Sequence, residues 1–179
     1  VSEAVFRHEG QVNKFLGDAV LALFGALPEE PPNHAERALL AAIEIQKAVH
    51  QLNEVATDTG SERLRMNTGA GINSGIATVG LVGRRRIRIE YTALGDPVNV
   101  ASRLQGQASE GEIVLGEATM DMLGGPRSIF VRSQQVHVSA AEALTLKGKK
   151  VPIQAFKLTL LRDDGSPISR VSSEKTPTI

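Results

Sequence analysis

Residues 11–25 read QVNKFLGDAVLALFG, and how this stretch folds decides the architecture around it. Val12, Lys14 and Leu16 alternate with Asn13, Phe15 and Gly17, a period of two that predicts a strand. Ala19 to Phe24 is a continuous apolar run of strand length, suited to a strand covered on both faces. Gly17-Asp18 between them is turn chemistry, because Gly tolerates positive φ and Asp often closes turns. The stretch is therefore a tight β-hairpin with Gly17-Asp18 at its tip. Asp18 has two readings at this point: an ordinary turn residue, or an exposed carboxylate placed for metal chemistry. Lys14 stands four residues before it.

Composition sets the bounds. The 179 residues are 41% hydrophobic and 22% charged, enough for one globular domain with a proper core. Formal net charge is +0, so there is no global bias toward nucleic acid or an anionic membrane. The absence of Cys excludes a disulfide scaffold and a Cys-ligated metal site, and it suits a reducing, cytoplasmic compartment. The apolar run from Ala19 is far too short to span a bilayer, so no membrane contact is expected of this domain. The polar start, VSEAVFRHEG, is not a secretory signal. It resembles the last turns of a helix, which points to a missing upstream segment.

Outward from the hairpin, Pro28, Pro31 and Pro32 mark a loop, and Asn33 to Glu36 has the spacing of a capping box. A helix should run from there to about Leu52, with Leu39, Ala42, Ile43, Val49 and Leu52 on its apolar stripe. Leu64 to Ile72 and Ile76 to Val82 read as strands, and Arg84, Arg85, Arg86 and Arg88 as a basic loop. Tyr91 to Leu94 is a short strand leading to Gly95-Asp96. Pro97 then takes the first turn of a helix carrying Asn99 and Arg103. A strand at Ile113–Leu115 and a helix at Glu117–Leu123 follow, stopped by Gly124-Gly125-Pro126. Further strands are expected near 129–138, 143–146 and 151–158, with Lys147-Gly148-Lys149 at a turn. One domain over residues 1–161 and a disordered tail or linker over 162–179 are expected. Several strand pairs are joined by loops too short for crossovers. The fold class is therefore α/β, an α+β sandwich with a mixed, largely antiparallel sheet and packed helices.

Asn99 and Arg103 are four apart and share a helix face. An amide beside a guanidinium suits ribose and phosphate, since Arg offers phosphate a planar fork of donors. The same pair also suits an ordinary solvated face. The arginine cluster and Lys147/Lys149 carry the same two readings. The four His residues have no metal-ligand spacing, and no P-loop or nucleophile elbow is present.

Three blocks, KFLGDAVLALFG, GINSGIATVGLVG and YTALGDPVNVASRLQGQA, occur in an order that resembles the class III adenylate/guanylate cyclase catalytic domain. The resemblance runs from Val1 to about Leu158 and implies a ferredoxin-like nucleotide cyclase fold. By resemblance, Asp18 matches the second of two metal-binding aspartates, for two Mg²⁺ or Mn²⁺ ions per site. Lys14 and Thr92 match the pair that reads the purine. Asn99 matches the ribose-orienting residue, and Arg103 the one that stabilises the transition state at the α-phosphate. Lys149 matches the lysine on the terminal phosphates, with Lys147 the alternative register. Arg88 matches a second phosphate-binding arginine within its cluster.

The resemblance implies an adenylate cyclase acting in signal transduction: the 3′-hydroxyl of ATP attacks its own α-phosphate and pyrophosphate leaves. The donor-only ammonium of Lys14 suits adenine N1, an acceptor, and opposes the N–H of guanine N1. An unpaired buried polar group costs ~1–3 kcal/mol, so ATP is expected over GTP. Thr92 leaves the choice open, since a hydroxyl donates or accepts. The first metal Asp is absent from Val1 to Glu9. Either this is a fragment of a working enzyme, the favoured reading, or it is a catalytically silent dimerisation or regulatory module. The chain alone should turn over little, and an exposed sheet edge could rearrange or swap a dimer. Because one chain carries both half-site sets, the resemblance implies a homodimer with interfacial sites.

Overall fold

The computed structural model describes residues 1–27, 29–58, 66–84, 88–140, 142–145, 151–162 and 164–168. Among them the chain runs α1 (Ser2–Arg7), β1 (Gln11–Leu16), β2 (Ala19–Leu23), α2 (His34–Asp58), β3 (Ala70–Ile72), β4 (Thr78–Arg84) and β5 (Arg88–Leu94). It continues with α3 (Asp96–Gln105), β6 (Glu112–Gly116), α4 (Glu117–Met122), α5 (Ile129–Ser133), β7 (Val136–Val138), β8 (Glu142–Leu144) and β9 (Ile153–Leu160).

The α+β class and the largely antiparallel pairing are as expected. β3 and β6 pair in parallel, and β9 pairs antiparallel with β6, β7 and β8. Among the described residues, however, the strands do not pair into one sheet. Five of them form a sheet ordered β3-β6-β9-β7 with β8 also on β9, while β1–β2 and β4–β5 are separate hairpins.

The core lies on the five-stranded sheet. Ile113, Val114 and Leu115 of β6 are all fully buried because helices cover both faces of this central strand. Period-two alternation sends Ile113 and Leu115 to one side, with Leu39, Ala42 and Ile43 of α2. Val114 goes to the other, with Val100 and Leu104 of α3. Gly71 in β3 permits the second packing: a Cβ there would run into the α3 backbone at Ala101 and Gln105.

Local differences have local causes. α2 extends to Asp58, and Leu52 is exposed rather than part of the buried stripe. A 25-residue helix is about 37 Å long and outruns the short strands beneath it. Asn33 adopts φ 66 and makes no capping side-chain bond among the described residues, so the expected capping box does not form. The strand expected from Leu64 is paired only at Ala70–Ile72 among the described residues. Before it, the Asn53 side chain satisfies both backbone groups of Met66 at 2.8 Å. The strand expected near 129–138 is a helix followed by a strand, because Ser128 caps Val131 N–H at 3.3 Å and starts a helical turn. Past residue 161, described residues still fold back. Ile168 donates its N–H to Leu160 O at 2.8 Å and packs against the core.

Candidate active site

The hairpin forms as its sequence indicates, with Gly17 at φ 66 in the turn. Both of its ends are clamped by one ion pair. Arg37, buried on α2, meets Glu30 at 3.3 Å and donates to Glu9 O at 2.6 Å, just before β1. The Glu30 carboxylate accepts from the N–H groups of Gly25, Ala26 and Leu27, just after β2. A buried ion pair holds its geometry only when further hydrogen bonds satisfy it, and these do so for Glu30. The clamp sets where Lys14 and Asp18 stand relative to α2.

The β1 strand is not regular. Val12 pairs with Ala22 and Lys14 with Leu21, so Asn13 is an extra residue in a bulge. Bulges re-aim side chains. Here Asn13 reaches across to the other hairpin. Its Nδ2 donates to Tyr91 O at 2.9 Å, and its Oδ1 accepts from the Thr92 hydroxyl at 3.0 Å. Next to it, Lys14 Nζ lies 3.1 Å from Glu90 Oε2. Glu90 and Thr92 are two apart on β5 and so face the same way. The two hairpins thus meet through Asn13, Lys14, Glu90 and Thr92. The side chains of Lys14 and Glu90 are only a quarter to a third exposed, and Thr92 is 4% exposed.

β5 runs into α3 with only Gly95 between, and Pro97 sits in the first helical turn. Asn73 donates to Pro97 O at 3.3 Å and ties that turn to the loop after β3. Val100 and Leu104 bury one face of α3. Asn99, exposed, and Arg103, half-buried, lie on another, and neither has a hydrogen-bond or ion-pair partner among the described residues.

Lys14 and Thr92, 78 positions apart in sequence, are therefore joined through Asn13 and Glu90, with Asn99 and Arg103 on the helix that follows Thr92. Asp18 stands apart, exposed at the hairpin tip and without a partner among the described residues. Arg88 opens β5, its side chain outside the described set, and Lys149 and Lys147 also lie outside the described residues. Asn13 and Glu90 were not singled out by the sequence. An Asn inside an otherwise strand-like run is the signal that could have marked Asn13, because Asn is depleted in strands.

No three His, Asp or Glu side chains converge as a metal site among the described residues. Asp18 fits a hard divalent cation as one oxygen ligand; Mg²⁺ commonly uses one or two carboxylates and completes its shell with phosphates and water. No helix among the described residues is long and apolar enough to cross a membrane.

Residues 5–159 match the family described as the adenylate and guanylate cyclase catalytic domain. Adenylate cyclase 1 of Rhizobium meliloti (strain 1021) is 41% identical over 105 residues, 59% of this chain and 15% of that protein. An adenylate cyclase of Anabaena cylindrica is 32% identical over 162 residues, 88% of this chain and 30% of that protein. The chain thus spans less than a third of either relative. The crystal structure of the guanylyl cyclase Cya2 superposes with a TM-score of 0.73 at 28% identity, covering 90% of this chain and 76% of that one. Relatives named for both purines occur.

Proposed function

Because this chain belongs to the adenylate and guanylate cyclase catalytic domain family, we propose that it converts ATP to cyclic AMP and pyrophosphate. The observation that carries this reading is the cross-hairpin cluster, in which Lys14 is held in place by Glu90, two residues from Thr92 on β5. An ammonium in that place complements adenine N1 and opposes guanine N1–H.

The remaining roles follow from chemistry. Asn99 orients the ribose, so that its 3′-hydroxyl faces the α-phosphate. Arg103, one helical turn on, meets the negative charge that develops on the α-phosphoryl oxygens; a preorganised donor of this kind is typically worth ~3 kcal/mol. Arg88 and Lys149 hold the remaining phosphates. Asp18 takes one coordination position of a divalent ion, Mg²⁺ or Mn²⁺, which when bound neutralises phosphate charge and acidifies the 3′-hydroxyl. A second carboxylate would complete the ligand set. β2 and β3 each pair on one side only among the described residues and offer a further strand an edge.

Asp18 at the tip makes no hydrogen bond or ion pair with the Lys14–Thr92 cluster among the described residues, which accords with a homodimer whose sites combine the tip of one subunit with the cluster and α3 of the other. Phe15, Leu16 and Leu81 are 66, 57 and 75% exposed on the hairpins, apolar surface that a second copy would cover. ATP places the reaction in the cytoplasm, in signal transduction. That no second carboxylate converges with Asp18 among the described residues favours one alternative, a silent cyclase-like module that dimerises without turnover.

Cyclic nucleotide formation from ATP and GTP, with Mg²⁺ and with Mn²⁺, tests the reading on this chain and on a version carrying its native upstream sequence. The expected result is cyclic AMP from the longer version and little from the shorter. No product from either, with dimers intact, would leave the silent module.

A further inference from the structure

The Thr92 hydroxyl has one hydrogen, and the groups around it decide where it goes. The Asn13 amide has its orientation forced, because Tyr91 O can only accept and so must face the Nδ2 end, at 2.9 Å. That leaves Oδ1, an acceptor, toward Thr92, and the hydroxyl donates to it at 3.0 Å. Thr92 is 4% exposed, so its hydrogen cannot turn to bulk water instead. The hydroxyl is thereby left with lone pairs only. Beside it, Lys14 gives one N–H to Glu90 at 3.1 Å, which fixes where its ammonium stands and leaves two more donors. Thr92 therefore presents an acceptor next to the donor of Lys14.

We propose that Asn13 is a specificity-determining residue: by taking the Thr92 hydrogen it makes Thr92 an acceptor, which fits the 6-amino group of adenine and opposes the 6-oxo group of guanine. Asn13 touches no substrate in this arrangement; it acts through Thr92 as a positioning residue. The proposal rests on the reading of Lys14 and Thr92 as the base-reading pair. The bulge is what makes it possible, since a regular β1 would pair residue 13 within its own hairpin and aim it elsewhere.

The test is the ratio of affinities for two ribose-labelled fluorescent nucleotides, MANT-ATP and MANT-GTP, with Mg²⁺ present. Asn13→Ala frees the Thr92 hydrogen to meet guanine O6. The ATP/GTP ratio should fall about five- to tenfold, the worth of one hydrogen bond. Asn13→Asp still accepts from Thr92 but loses the donor to Tyr91 O, so the ratio should fall less than with Asn13→Ala. Should Asn13→Ala fail to fold by circular dichroism, Asn13→Gln, which displaces the acceptor by one methylene, is read in its place. In a Thr92→Val background the Asn13 substitution should leave the ratio unmoved, which a merely structural role for Asn13 would not predict. An ATP-selective parent whose ratio is the same with Ala at position 13 overturns the role of Asn13 and leaves the ATP reading standing. An equal fall with Ala and Asp overturns it too. A parent that binds neither nucleotide, or both alike, removes the reading beneath the proposal and the proposal with it.

Discussion

In the five-stranded sheet Ile113, Val114, Leu115 and Leu158 are completely buried, whereas in the two hairpins Phe15, Leu16, Leu81 and Ile89 are more than half exposed. The sheet is held by apolar side chains layered between α2 and α3. The hairpins meet through polar contacts: an amide, an ammonium, a carboxylate and a hydroxyl. The two regions answer to different requirements. Apolar packing is non-directional and suits a region that has only to be stable. Hydrogen bonds and charge pairs are directional, and they orient groups for a ligand at little gain in net stability. The apolar residues Phe15, Leu16, Leu81 and Ile89 stay exposed on the hairpins.

The sharpest way to break this contrast is to disturb each region and ask which property moves. Leu158→Ala, in the buried sheet, should cost about 2–5 kcal/mol, read as a lower urea midpoint. The purine preference of the protein that remains folded should not change. Arg103→Ala on α3 should do the reverse. Turnover should drop about 10²–10³-fold in the cyclase-competent protein, while the thermal midpoint moves little, since Arg103 makes no hydrogen bond or ion pair among the described residues. A large loss of stability in that variant would show Arg103 to be part of the framework.

Lys14→Glu has a smaller effect and sharpens the comparison inside the hairpins. It replaces an ion pair with two facing carboxylates at positions 14 and 90. Preference for ATP over GTP should weaken by about 1–3 kcal/mol, measured as the ratio of kcat/KM values. Unchanged discrimination would remove Lys14 from base reading. Smallest in stability is Leu81→Ser on β4, which should shift unfolding by no more than about 0.5 kcal/mol because the side chain is 75% exposed. Its consequence should appear in sedimentation, as a weaker dimer. An unaltered association constant would place the dimer contact elsewhere.

Much of this was legible in the sequence, for physical reasons particular to each stretch. Residues 11–25 declared a hairpin because alternation, an apolar run and Gly-Asp turn chemistry agreed. α3 declared itself by Pro97 at its start and Asn99 and Arg103 one turn apart. Where local signals competed, the sequence misled. Ile129, Phe130 and Val131 have strand-like side chains, yet the cap at Ser128 makes them helical. Leu52 fits the apolar period of α2, yet it is 55% exposed and packs into no buried cluster among the described residues.

What the chain determined by itself was its elements and its chemical inventory: periodicity, turns, caps and the residue types able to meet a purine, a ribose and a phosphate. These depend on neighbours a few residues away. Only the tertiary structure decided that Asn13 bulges out of its strand and meets Thr92, that Glu90 takes Lys14, and that one buried Arg37–Glu30 pair clamps both ends of the hairpin. Those contacts join residues as far as 79 positions apart, and whether a hydroxyl donates or accepts depends on which partner lies across from it.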